Sequence, residues 1–439
     1  MKYDFEHYLL AGHGRAYMIA KADPECYRDR ILAACMKDYS FDMQCEGSRA
    51  FLTYDLVSLF DEPSYFIETV KKSYIKPETD SDWHQICYLT DLLDLFDQRK
   101  TIIEKYKQLE KRLYTDGSLE DLTPFCQSFD YLAIKLIQGH GIKVIWNVVN
   151  DIGKWFLTRS EDPHDLASNF LWFNCIAQDE FGEKVFNKLL KYNNDSDGVK
   201  EYIKIMSLPF KSGRKDEIDN ATSEIVLSWI RKEPRINRFE LGRRGLMSMS
   251  TSEAVKLAKQ FSIETDPDIK AGIASVFTSM KYPWPLDVSI LTECDISNDQ
   301  RLAEQINRAL LHLKDDRIHD YARNLLEKGF NSSAVSLLIS NIKKSDESFI
   351  MNYLEDLPIA KDNRREWHDI VSIIGSHGEN PEMPASLLNW AYESTLCSFC
   401  RERIVDKMIQ RGLLTDELKE ELQWDANLDI RDMVDEKME

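Results

Sequence analysis

The clearest stretch of the chain is Asn298–Phe330, where apolar residues recur at a helical period on either side of one short polar turn. Leu302, Ile306, Ala309, Leu310 and Leu313 form one stripe of 3.6-residue period. After Lys314-Asp315-Asp316 a second stripe follows, made by Ile318, Tyr321, Ala322, Leu325 and Leu326. The spacing of Ser297 and Gln300 predicts a capping box on the first helix. Asp315 or Asp316 caps the second, and Gly329 suits a left-handed position just past its end. Neither helix can bury its stripe alone, so the pair needs neighbours of the same kind. That is the logic of a helical-repeat solenoid.

The same alternation runs through the rest of the chain. Predicted helices cover Phe5–Leu10, a segment opened by Asp23-Pro24, Ser48–Phe60, Ser64–Ile75, Asp82–Phe96, Arg99–Tyr114, Phe129–Gln138 and Ile142–Phe156. Lys143–Val149 is rich in β-branched residues, but its surroundings favour a buried helix. Lys191–Val199 and Phe210–Ile218 are polar and rich in Gly, Asn and Asp or basic residues, and read as loops. Beyond them come Glu217–Arg231, Ser252–Phe261, Pro267–Met280, Asp299–Leu313, Arg317–Lys328, Ser333–Lys343, Glu347–Leu357, Arg364–Gly375 and a helical tail from Ala385. Tyr282-Pro283-Trp284-Pro285 interrupts the run as a rigid crossing. No βαβ rhythm and no Asn-Gly hairpin signal is present. The expected fold is all-α, with antiparallel helix pairs stacked as an α-solenoid. It divides into an irregular N-terminal region over 1–210 and a cleaner repeat region over 211–439.

One small pattern recurs at the start of second helices: Asp268-Ile269-Lys270, Arg317-Ile318-His319 and Asp429-Ile430-Arg431. Acids cap the N-terminus, an isoleucine enters the core, and a basic residue points outward. This resembles HEAT repeats, in which such an acid and base pair between successive units. The whole chain is also similar to a group of uncharacterised bacterial HEAT-like proteins, through Gly12–Ala20 (GHGRAYMIA), Cys45–Ala50 (CEGSRA) and Tyr392–Gly412, which contains CSFCR. The resemblance implies an armadillo-type superhelix and no particular activity.

Composition narrows the function classes. With 43% hydrophobic and 11% aromatic residues the chain folds rather than remaining disordered. A net charge of −19 repels nucleic acid and anionic membranes as a whole. No window approaches a membrane span, and the start carries acids where a secretory signal needs a basic region. Nine scattered cysteines read as reduced thiols of a cytoplasmic protein.

Three constellations are candidates for chemistry. Cys397 and Cys400 stand at CxxC spacing before a helix, where the N-terminal dipole and Arg401 would favour a thiolate; this is the redox reading, against two small apolar residues at adjacent core positions. A metal reading lacks two further ligands in sequence, so no metal is expected. His13 and Arg15, between and after two glycines, form a candidate anion nest, against a plain helix cap. Arg231–Arg244 holds six basic residues and two acids in an acidic chain. Arg235, Arg238, Arg243 and Arg244 are therefore the candidate anion- or partner-binding face, against a solvated loop. No P-loop, dinucleotide fingerprint, zincin, hydrolase or kinase motif occurs, and no cofactor is expected. The chain reads as a non-catalytic scaffold for a protein partner. The alternatives are a nucleic-acid-binding or repair-type HEAT protein using the basic face, and a CxxC redox-responsive regulator.

Overall fold

A computed structural model describes residues 3–42, 46–76, 82–114, 119–140, 142–192, 196–208, 220–236, 238–279, 281–296, 299–329, 332–355 and 364–438. The described residues form α-helices, short 3-10 turns and connecting segments. The β-type pairing among them is an isolated bridge between Ser279 and Tyr282. None of their helices is long and apolar enough to cross a membrane. The chain forms two compact units, one of Met1–Lys211 with Leu396–Phe399 and Thr415–Glu439, the other of Ser212–Thr395 with Cys400–Leu414. The C-terminal segment Thr415–Glu439 thus belongs with the N-terminal region, not with the rest of 211–439.

In the first unit, Phe5–Ala11 is opened by Asp4, whose carboxylate accepts from the His7 N–H, and is closed by Gly12 at φ 66°. Asp23 accepts from the Cys26 N–H and starts the 3-10 turn Pro24–Tyr27, which leads into Arg28–Met36. Trp83–Leu95, capped by Asp82, packs against both Ala50–Val57 and the long helix Leu119–His140. Lys143–Val149 is helical, within Ile142–Leu157. That helix lies against Asp197–Met206 at a contact only glycines permit: a Cβ on Gly153 would stand 1.7 Å from the Gly198 carbonyl oxygen. Phe129, Trp155, Phe156 and Phe170 meet edge-on or tilted at the centre, and each is essentially inaccessible.

The second unit follows the stripes most closely. Gln300–Leu310 buries Leu302, Ile306, Ala309 and Leu310, and Asp316–Lys328 buries Ile318, Ala322 and Leu326. Gln300–Leu310 packs on Pro267–Val276 and on Ser332–Ser340, which in turn meets Asp316–Lys328 and Arg364–His377. Acid–base pairs link neighbouring segments. Arg301 reaches Asp268 at 3.0 Å, Arg317 reaches Asp287 at 2.8 Å and Lys343 reaches Asp316 at 2.8 Å. The buried Asp346 receives Arg323 at 3.1 Å and His319 Nε2 at 2.9 Å. Tyr282 donates to the Leu246 and Met249 carbonyls, and Trp284 packs edge-on against Phe261 and Phe277, so the two-proline segment is anchored.

Several boundaries depart from the sequence expectation. The cap of Gln300–Leu310 is Asp299, whose carboxylate accepts from the Leu302 N–H; Ser297 lies outside the described residues. Asp315 is the cap of the next helix, as expected. Gly329 closes it at φ 154° and ψ 165°, a conformation open mainly to glycine but not the left-handed helical one. Ser250 and Glu253 stand at capping-box spacing, and Ser250 accepts from the Glu253 N–H, but Glu253 does not return the bond. Its carboxylate accepts from the Ser223 N–H and hydroxyl instead. The helix expected from Glu217 begins at Ser223, because Thr222 supplies the cap. The helix expected over Phe129–Gln138 is the second half of Leu119–His140, and the loop expected over Lys191–Val199 shrinks, with helix through Tyr192 and again from Asp197. Phe210–Ile218 lies outside the described residues.

Candidate functional site

The first unit holds a cavity of about 470 Å³, within the size range of small-ligand sites. Its walls come from five places in the sequence. The turn after Arg28–Met36 supplies Asp38 and Ser40, and the approach to Ala50–Val57 supplies Glu46, Gly47 and Ser48. Trp83–Leu95 lays Trp83, His84, Cys87, Tyr88 and Asp91 along one face, and Tyr131 and Trp172 complete the rim. Positions 84, 87, 88 and 91 are one helical stripe, so the Asp82 cap that starts this helix also sets which of its side chains face the cavity.

Three carboxylates reach this space in different states. Glu46 is sealed, its side chain wholly inaccessible and paired with Arg49 at 2.6 Å. Its oxygens also accept from the Ser398 and Phe41 N–H groups. Asp91 takes Lys135 at 2.7 Å and the Tyr131 hydroxyl on one oxygen, Oδ1. Asp38, only 7% exposed, has no cation within ion-pair distance among the described residues. Its Oδ1 accepts from the Ser40 N–H at 3.0 Å and hydroxyl at 2.8 Å. Burial pushes the Asp38 carboxyl above its usual range, against the pull of the Ser40 bonds.

The other walls are aromatic. The Trp83 and His84 rings lie 3.8 Å apart and Tyr131 and Trp172 lie 5.8 Å apart, each pair tilted by about 30°. Trp172 is 46% exposed, an unusual position for so large an apolar side chain. His84 Nε2 is shielded from water and has no hydrogen-bond partner among the described residues. Burial and the nearby Asp91 raise the Cys87 thiol, so it stays protonated, and burial likewise raises the Tyr131 hydroxyl. The Ser40 and Tyr131 hydroxyls donate to the carboxylates of Asp38 and Asp91. Acidic and aromatic walls together suit a cation.

The residues singled out from sequence lie elsewhere. His13 is fully buried, and its Nδ1 lies 3.1 Å from Glu421 Oε1; Arg15 Nε donates to Glu421 Oε2 at 2.7 Å. The anion these residues hold is therefore the chain's own carboxylate, which corrects the open nest. Gly14 is required there, since a Cβ would stand 1.9 Å from the Glu421 carbonyl oxygen. Beside it the Ala426 N–H donates to the Gly12 carbonyl and Tyr17 stacks on Trp424 at 3.7 Å. Arg49 donates to the carbonyls of Ala11 and Leu396 while holding Glu46, which accepts from Ser398. The three stretches that carried the family resemblance thus meet around one buried junction in the first unit.

Cys397 and Cys400 are 4% and 3% exposed, and Cys400 Sγ lies 3.3 Å from His368 Nε2. His368, on Arg364–His377, was invisible to spacing because it is 32 positions away in sequence. In the basic run, Arg244 pairs with Glu233 at 3.1 Å and Glu240 at 3.2 Å, and Arg231 with Glu264 at 3.4 Å. Arg235 is exposed with no ion pair among the described residues, and the side chains of Arg238 and Arg243 lie outside them. The basic face expected of four arginines is thus, where described, partly neutralised by its own neighbours. No family model, no curated protein and no solved structure matches the chain.

Proposed function

We propose that this chain is a non-catalytic, cytoplasmic binding protein, a scaffold or adaptor for a protein partner built on a HEAT-like solenoid. The Arg301–Asp268 pair between the packed helices Gln300–Leu310 and Pro267–Val276 supports the repeat reading. The observation that carries the binding reading is the cavity of the first unit, where a buried carboxylate without a cation lies beneath an aromatic rim. Such a site recognises a positively charged group on the partner. A net charge of −19 would also steer a basic partner toward it.

Affinity purification from the native host with the parent chain and with Asp38→Lys tests this. A partner recovered by the parent and lost with Asp38→Lys, at unchanged melting temperature, supports it. A partner recovered equally by both shows that the contact lies elsewhere. The exposed Arg235 keeps an anion-binding reading in view. It predicts instead that Arg235→Gln, and not Asp38→Lys, releases the partner and that nucleic acid co-purifies.

A further inference from the structure

Resting on that binding reading, we propose that the cavity of the first unit is a guanidinium receptor, which takes the side chain of an arginine presented on an exposed segment of the partner. Two carboxylate oxygens line it without a donor. Asp38 uses Oδ1 for Ser40 and Asp91 uses Oδ1 for Lys135 and Tyr131, and no donor among the described residues reaches either Oδ2.

Acceptors on separate walls call for a cation with several donors spread in a plane. Guanidinium carries five N–H donors in a fixed fork and binds carboxylates bidentately. A primary ammonium concentrates three donors on one atom and keeps its hydration more tightly. A quaternary ammonium has none, so it would satisfy the aromatic walls and leave both carboxylate oxygens unpaired, and a site built for hydrogen bonds discriminates against such a ligand. The rim gives the same answer. Tyr131 and Trp172 lie 31° from parallel and Trp172 is nearly half exposed, so a planar cation can stack on the indole as it enters. The cavity already accepts a basic side chain from within the chain at one wall, where Lys135 meets Asp91, and Asp38 is the carboxylate left for an external one.

The test uses the full chain and four capped pentapeptides, Gly-Gly-X-Gly-Gly, with X as arginine, lysine, trimethyllysine or the uncharged isostere citrulline. Binding is read by calorimetry and by tryptophan fluorescence. The arginine peptide should bind saturably, with citrulline at least about tenfold weaker because a charge-assisted bond is lost. Lysine and trimethyllysine should also be weaker. Asp38→Asn, which keeps an oxygen for Ser40, and Trp172→Ala, at an exposed position, should each weaken the arginine peptide at least about tenfold without changing the melt. Either variant serves if the other fails to fold. Lysine or trimethyllysine binding as well as arginine, with citrulline excluded, overturns the guanidinium assignment and leaves a cation-binding pocket standing. Citrulline binding as well as arginine, or no peptide binding at about 10 mM, overturns both.

Discussion

Replacing Glu421 by glutamine should loosen the C-terminal segment from the first helices of the first unit. The side chain is 8% exposed and sits between Arg15 Nε at 2.7 Å and the wholly buried His13 Nδ1 at 3.1 Å. Glutamine keeps the shape and one acceptor oxygen for Arg15, but it removes the charge with which Arg15 pairs. Losing a hydrogen bond to a charged group costs about 1.5–3 kcal/mol. The further penalty of stranding Arg15 is smaller than for a deeply buried ion, because Arg15 is 22% exposed and also donates to the Tyr8 hydroxyl at 3.1 Å. Roughly 2–3 kcal/mol follows, or about 5–10 °C in the melting of a unit this size. Thermal and urea melts measure the loss. Hydrogen exchange over residues 12–22 and 415–431 shows whether it is local. Combining the change with Arg15→Met should then cost less than the sum of the two, since the stranded charge is gone. A Glu421→Gln chain that melts within about 0.5 kcal/mol of the parent, with unchanged exchange in both segments, would refute the account of this junction.

Other predictions rest on single groups. Asp130 is 3% exposed, accepts only the Phe173 N–H among the described residues, and is pushed far above the usual carboxylate range by burial, so Asp130→Asn should stabilise the first unit at neutral pH by about 1–3 kcal/mol; a lower melting temperature would contradict this. Asp151 is raised to about 6 by burial and by Glu110, above its unfolded value, so its protonated form is favoured on folding. That contribution is full below about pH 4 and is lost as pH rises through about 6, so the stability gap between Asp151→Asn and the parent should widen over this window in parallel melts. Native-state alkylation should reach the exposed Cys26 and Cys175 well before the buried Cys397 and Cys400, as peptide mass spectrometry would show; early labelling of Cys400 would instead favour the redox reading.

What could be read from the sequence was whatever local physics decides. The cap at Asp315 and stripes such as Leu302–Leu310 announce themselves because a helix must satisfy its first N–H groups and bury one face, whereas the cap at Asp299 was masked by the capping-box spacing of Ser297 and Gln300. The cavity could not be read in that way. Asp38 ends one helix, Glu46 precedes another, and Trp172 begins a third; each has an ordinary local role, and only tertiary packing against Trp83–Leu95 gives them a common one.

The motifs that did stand out carried a different message from the one chemistry suggested. Gly12-His13-Gly14-Arg15 has the composition of an anion nest, and it holds an anion, but Glu421 supplies it from more than 400 positions away. Arg49 likewise spends its guanidinium on Glu46 and the backbone of Ala11 and Leu396. Glycine, histidine and arginine are as useful for locking distant backbone together as for binding ligand, and composition cannot distinguish the two. Exposure can. Arg15, Arg49 and Arg244 find acids within the chain, whereas Asp38 is buried without a cation and Trp172 is left in solvent. Among the described residues the exposed Arg235 also lacks an ion pair, so the Asp38→Lys and Arg235→Gln variants decide between a basic and an acidic partner surface.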